Sequence, residues 1–393
     1  YGVDPDKAQA FAKWRDSHQP FHWFTEYYGI LHNGGFDVVI GNPPYVETRT
    51  VANIYTTRGF SSTESGNLFA LVSERSMILA AGTGFLGLIL PISAICTRRT
   101  ASIQELFKSR SNRWYSAFDV FPARVFEGAA QRISIVLLRN SIANKPSTLH
   151  TTKYYRWYQQ ERAALTQIIS YTDVSSYDLP TWTPRIEGST SLLERVSGNT
   201  KLGRIRQRKG NNPIFVHRII NNFIKAVDFA PYFRRANGEV TTSDDFKRLY
   251  VKDDYRLSIL AVLNSSLFYW YWRCHGDGFH CGYEDMDQFP ISIENMDSKI
   301  IKVLSLLGEE LSEDLARNSE VRTRNQTRTG LVELQTFFVP KSKPLIDKVD
   351  RVLSEHYPLS PNELDYIINY DIKYRMGDEL FEEGDSDTNE QED

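Results

Sequence analysis

Apolar and polar positions change period along the first third of the chain. "FDVVIG" (36–41) and "GFLGLILP" (84–91) are continuous apolar runs, the pattern of strands buried on both faces of a parallel sheet. Between them "GNLFALVSERSMILAAG" (66–82) has helical spacing and is expected to end at Gly82. "ASIQELFKSR" predicts a second helix, and "WYSAFDVF" and "RISIVLLR" predict two further strands. Residues 1–35 read as helical and aromatic, with a turn at "HNGG". Residues 36–140 thus predict strand, helix, strand, helix, strand, strand, part of a doubly wound α/β sheet.

From about residue 146 the strands shorten and aromatic and basic residues mix, which predicts a second, mixed α/β domain to about residue 292. Beyond it "IIKVLSLLGEELSEDLA" and "PLIDKVDRVLSEHY" are helical in period. Ser360-Pro361-Asn362-Glu363 has capping-box spacing with proline at the first helical position, predicting a last helix over 361–375. The expected segments are 1–145, 146–292, 293–377 and a tail, 378–393. That tail holds nine acidic residues and no basic one, the composition of a disordered segment. The whole chain has a net charge of −3, but residues 1–377 carry 46 basic against 40 acidic side chains, so the body is mildly basic. Mild basicity permits nucleic-acid binding without establishing it. Three cysteines are too few for a disulfide framework, and no apolar run reaches the ~18 residues of a membrane span, so a cytoplasmic protein is expected. The chain opens on Tyr1, which suggests a fragment of a longer polypeptide.

The first predicted strand ends in Asn42-Pro43-Pro44-Tyr45. In an open parallel sheet, ligands bind beyond the carboxyl ends of the strands. Consecutive prolines stiffen the turn. The Asn42 amide oxygen and the Pro43 carbonyl are two acceptors beside the flat ring of Tyr45, the set that an exocyclic amine on a planar base requires. The alternative without chemistry is a proline-stiffened loop with a capping Asn.

"GGFDVVIGNPPYV" resembles motif IV of the S-adenosylmethionine-dependent amino-group methyltransferases, and the longer pattern resembles the gamma-class adenine-N6 DNA methyltransferases of type II and fused restriction–modification or phage-defence systems. "PFHWFTEYYGIL", "VFEGAAQRISIVLLR", "LAVLNSSLFYWYWR" with "DMDQFPI", and "ELDYIINYDIKYRMG" are similar to other segments of that family, in the same order. The resemblance implies a partial Rossmann-like methyltransferase sheet, then a target-recognition domain and C-terminal helices. It implies double-stranded DNA as partner and an adenine flipped from the duplex. Asn42 and Pro43 would hold its N6 amine, and Tyr45 would stack on the base. Phe126 would be the second stacking aromatic, with Phe121 the nearby alternative. Pro44 would touch the cofactor's adenine.

The family's Gly-rich cofactor loop belongs upstream of this motif, but only 41 residues precede Asn42 and none forms such a turn. The chain as given is therefore expected to bind S-adenosylmethionine poorly. The loop would come from a missing N-terminal part of the same polypeptide or from a companion subunit.

"KLGRIRQRKG" supplies Lys201, Arg204, Arg206, Arg208 and Lys209, which the resemblance makes candidates for DNA phosphate contact; the plainer alternative is a solvated face. "RNSEVRTRNQTRTG" adds Arg317, Arg322, Arg324 and Arg328, expected in a loop or helix end. "CHGDGFHC" (274–281) has zinc-ligand types, but its adjacent Cys-His pairs do not match the spacing of zinc sites, and a glycine-rich turn is expected. No metal is expected. Two other functions stay open: a non-catalytic DNA-binding specificity module, and a methyltransferase of RNA or protein glutamine that carries the same four residues.

Overall fold

The computed structural model describes residues 2–54, 56–128, 130–140, 146–177, 183–326 and 330–377, and the expected tail lies outside them. The chain divides into two units: Tyr1–Ala117, Ile133–Thr151 and Asp173–Thr183 make the first; Phe118–Arg132, Thr152–Thr172 and Pro184–Asp393 make the second.

The first unit carries most of a six-stranded sheet. Its strands are β1 (Phe36–Gly41), β2 (Ala80–Pro91), β3 (Asn112–Phe118), β4 (Ile133–Arg139), β5 (Thr148–Tyr155) and β6 (Thr172–Asp173), in the order β1-β2-β4-β3-β5-β6. β1 and β2 are parallel, with Gly41 beside Leu88, and helix α1 (Leu68–Leu79) connects them. β4 lies antiparallel to β2, with Val136 opposite Leu88, so the sheet is mixed rather than all parallel. Helix α2 (Ala101–Lys108), which follows β2 and precedes β3 in the chain, buries Ile103 and Phe107.

Two local expectations change. α1 ends at Leu79 and the chain enters β2 at Ala80, before Gly82. The apolar, β-branched run that was to be buried on both faces is a strand, but it stands at the end of the sheet order. Val38 is 57% and Ile40 79% exposed. An apolar run specifies what a strand could bury; its neighbours decide what it does bury. The three short helices before β1 bury none of their residues, and Trp23, Tyr27 and Phe36 pack on one another.

The second unit holds two four-stranded sheets. Its strands are β7 (Arg206–Gln207), β8 (Ile214–His217), β9 (Ala226–Val227), β10 (Phe233–Arg234), β11 (Val240–Thr241), β12 (Phe246–Val251), β13 (Ser319–Gln326) and β14 (Gly330–Phe337). They order as β7-β12-β8-β9 and β11-β10-β14-β13. Arg317 ends a helix as expected, and the paired strands β13 and β14 correct the expectation of a loop or helix end for the described residues beyond it. Eight residue pairs join these two strands, from Ser319 opposite Phe337 to Gln326 opposite Gly330.

The helices of this unit are α3 (Arg256–Asn264), α4 (Ser266–His275), α5 (Ser298–Arg317), α6 (Lys343–His356) and α7 (Pro361–Ile368). α4 is buried on every side. The Asp350 carboxylate of α6 accepts hydrogen bonds from the first backbone amides of α4, at Ser266 and Leu267. Burial, opposed by these bonds, raises its pKa to about 6. Gly308 lets α5 lie against α3: a β-carbon there would stand 2.1 Å from the Leu257 carbonyl. The core joins both element types, with Phe215 and Val227 of the sheet packed against Leu311, Leu315 and Ile346 of the helices. The capping box predicted at Ser360–Glu363 forms, and its helix ends at Ile368, short of 375.

Candidate functional site

β1 carries the chain to Gly41, and residues 42–47 form no regular element before a short helix at Thr48–Val51. Asn42 and Pro44 are exposed, Pro43 is buried, and Tyr45 is half-buried. The Tyr45 hydroxyl lies 3.1 Å from Asn42 Oδ1 and 3.0 Å from the Ile89 carbonyl of β2. Its ring meets Phe69 edge-on, with centroids 6.3 Å apart. Burial pushes the phenol up to about 12, so it keeps its proton.

The segment after Tyr45 is tied down locally. Leu68 donates its N–H to the Val46 carbonyl, Thr48 donates to Gly66, and Glu47 bridges to Asn67, whose side chain caps α1 by accepting from Phe69 N–H. Glu74 on α1 accepts from the N–H and hydroxyl groups of both Ser61 and Ser62, holding the short helix at Ser61–Ser65. The four corner residues are thus set by a strand end, two prolines and the capped start of α1. An exposed amide, the carbonyl of a buried proline and an anchored aromatic ring stand in one tetrapeptide. That set can accept from an N–H group and cover a flat ring.

Among its described residues the same unit supplies no cofactor cradle. A phosphate- or cofactor-cradling loop requires glycines in a turn from strand to helix. Gly41 leads into Asn42-Pro43, and Gly82, Gly84 and Gly87 lie inside β2. Gly35 precedes β1, and a β-carbon there would stand 2.7 Å from the Leu79 carbonyl. Gly35 and Gly84 serve close backbone approach and none of these glycines opens a helix, so the described residues do not by themselves fit S-adenosylmethionine.

Phe126 belongs to the second unit, in a loop, and is 38% exposed. Arg162 fastens that loop through the Val125 carbonyl at 2.7 Å. Phe121, the alternative aromatic, lies under the Arg132 guanidinium, 5.7 Å from ring centroid to Cζ.

The five cations of 201–209 fall into two groups. Arg204 pairs with Glu294 at 3.5 Å, Arg206 with Asp287 at 2.6 Å, and Lys201 donates to Gln288. Arg208 and Lys209 are exposed and form no ion pair among the described residues. Strand pairing adds a cation the sequence pattern did not single out. Arg248 is exposed on β12, next to β7, where Tyr250 pairs with Gln207. Only its place in "FKRLYV", a strand pattern with adjacent Lys and Arg, could have signalled it. In the second basic stretch Arg317 pairs with Glu313 and Asp314, and Arg322 with Glu320. Arg328 lies outside the described residues.

Cys274 and Cys281 are buried. His275 is buried with Nδ1 at the Tyr271 carbonyl, and burial lowers its pKa to about 4; His280 Nδ1 sits 3.0 Å from Asp277. No group of three or more such side chains is placed to hold a metal ion among the described residues. No helix among them is long and apolar enough to cross a membrane.

Comparison with known proteins bears on the first unit most directly. Residues 4–126 match the Eco57I restriction-modification methylase family. The match contains the Asn42–Tyr45 corner and ends at Phe126. RM.MjaORFECS2P of Methanocaldococcus jannaschii, named as a type II restriction enzyme and methyltransferase, is 34% identical over 108 residues. These are 26% of this chain and 9% of that protein. The type II restriction enzyme and methyltransferase RM.Eco57I of Escherichia coli is 25% identical over 183 residues, covering 44% of this chain and 18% of its own length. The chain therefore spans less than a fifth of the curated relatives it matches. Among solved structures, the type IIL restriction-modification enzyme MmeI in complex with DNA aligns over 88% of this chain and 57% of its own, at 10% identity and a TM-score of 0.46. The similarity is to restriction-modification methyltransferases.

Proposed function

We propose that this chain carries the amine-binding half and the DNA-recognition part of a site-specific adenine-N6 DNA methyltransferase of a restriction–modification or phage-defence system. The observation that carries this is the corner: Asn42 is exposed at the carboxyl end of β1, beside a tyrosine whose hydroxyl is anchored to the neighbouring strand. The family match over 4–126 supports a DNA substrate over RNA or a protein glutamine.

The roles follow from the chemistry of each group. Asn42 Oδ1 and the Pro43 carbonyl accept from the two N–H groups of the N6 amine, which leaves the nitrogen lone pair directed away from both. Tyr45 stacks on the flipped base. Pro44 borders the cofactor. Arg208 and Lys209, with Lys201, Arg204 and Arg206 beside them, face DNA phosphates. S-adenosylmethionine would supply an electrophilic methyl group, and its binding loop would come from a further segment of the same polypeptide or a companion subunit. Orientation and proximity carry the rate; the corner offers no nucleophile or general base of its own.

The test is Asn42→Ala in the complete methylating enzyme. Methylation of an adenine-containing duplex falls by about 10²-fold or more, as for loss of a transition-state hydrogen bond, while DNA affinity stays unchanged. Methylation at the parental rate, or loss of DNA binding in parallel, would overturn the assignment.

A further inference from the structure

Two oxygens face the Tyr45 hydroxyl: the Ile89 carbonyl at 3.0 Å and Asn42 Oδ1 at 3.1 Å. A phenol has one proton to give. The Ile89 carbonyl belongs to β2, where Ile89 pairs with Ile135 of β4, and it cannot turn. Pro43 and Pro44 have no N–H, so beyond Gly41 these two residues offer β2 no backbone donor. The Asn42 side chain is exposed and can turn. A half-turn about its terminal bond exchanges Oδ1 and Nδ2.

The corner therefore has two arrangements. In one, Tyr45 donates to Asn42 Oδ1, and the amide presents its Nδ2–H groups outward, where they oppose an incoming amine. In the other, Tyr45 donates to Ile89 and accepts from Asn42 Nδ2. The phenol proton and one Nδ2–H each have an acceptor, and Oδ1 stands on the open side. If the proton went to Ile89 and the amide did not turn, two oxygens would face each other at 3.1 Å with no proton between them.

We propose that the Tyr45 hydroxyl is a positioning group that orients the Asn42 amide, holding Oδ1 outward as the acceptor for the substrate amine while its own proton rests on Ile89. This is separate from the stacking role of the ring, which needs no hydroxyl. It rests on the reading that Asn42 accepts from that amine. The high phenol pKa keeps the donor in place across the physiological range.

Tyr45→Phe in the complete enzyme removes the hydroxyl and keeps the ring. The single-turnover methylation rate falls about five-fold, the factor that one neutral hydrogen bond supplies. The DNA dissociation constant, and the fluorescence of 2-aminopurine at the target position that reports base flipping, stay within about two-fold, because stacking is retained. A rate equal to the parent's would overturn the proposal. So would an equal fall in flipping, which would make the hydroxyl a support for the ring alone. Asn42→Ala, measured alongside, separates the two levels. Undiminished methylation there sinks the methyl-transfer reading itself. Its loss, with Tyr45→Phe at full rate, sinks only the positioning role.

Discussion

Replacing Asp119 with Asn tests the electrostatics that hold the second unit. The Asp119 carboxylate is buried with Arg273 at 2.7 Å, Arg132 at 3.1 Å and Arg156 at 3.7 Å, and it accepts from Val120 N–H. Burial alone would raise its pKa; the guanidiniums of Arg273, Arg132 and Arg156 outweigh that and hold it at about 2, against 3.8 ordinarily. A displacement of nearly two units is linked to about 2 kcal/mol of stability at neutral pH. Removing one partner of a buried ion pair costs about 3–5 kcal/mol, because the other charges stay uncompensated. Asn keeps an acceptor for Val120 and for one guanidinium, so Asp119→Asn should lose about 3 kcal/mol. The assay is urea unfolding followed by tryptophan fluorescence, since Trp157, Trp270 and Trp272 are buried in this unit. The two units call for separate fits of their transitions. A depressed carboxylate contributes stability above its unfolded pKa and loses it as pH falls through the folded value. The parent should therefore weaken between about pH 4 and pH 2, and the variant should lack this component there. A loss below about 0.5 kcal/mol, or the same pH slope in both proteins, would refute the reasoning.

Three further outcomes follow from other parts of the molecule. Replacing Arg208 and Lys209 with Ala should weaken DNA binding uniformly across sequences and lower the salt slope by about two, whereas a slope equal to the parent's would remove them from the phosphate contact. Gly308→Ala should destabilise the second unit by about 1–3 kcal/mol, read as a shift in its urea midpoint, since the added carbon meets main chain at Leu257. Tyr45→Ala should weaken capture of the flipped base by about 1–3 kcal/mol, measured with 2-aminopurine. An unchanged signal would take the ring out of the stack.

The elements legible in the sequence were those specified over short range. β1, β2 and α2, the long helices α5 and α6 and the capping box of α7 follow from periodicity and from caps a few residues apart. The corner was legible too, because strand end, amide, prolines and ring are consecutive. Contacts over long sequence distances were not. Tyr45 reaches a carbonyl 44 residues away, and Arg206 pairs with an aspartate 81 residues away. Asp119, Arg156 and Arg273 come from three separate segments, and nothing in any one of them announces a shared buried charge. The β13–β14 hairpin escaped because β13 is polar and charged, so hydrophobic alternation does not mark it.

β1 shows the division most plainly. Its sequence determined that it would be a strand and where the chain would turn after it, through side-chain branching, two prolines and the order of four residues. Its burial was decided only in three dimensions. A strand is covered by what pairs with it and packs on it, and that information lies in other parts of the chain.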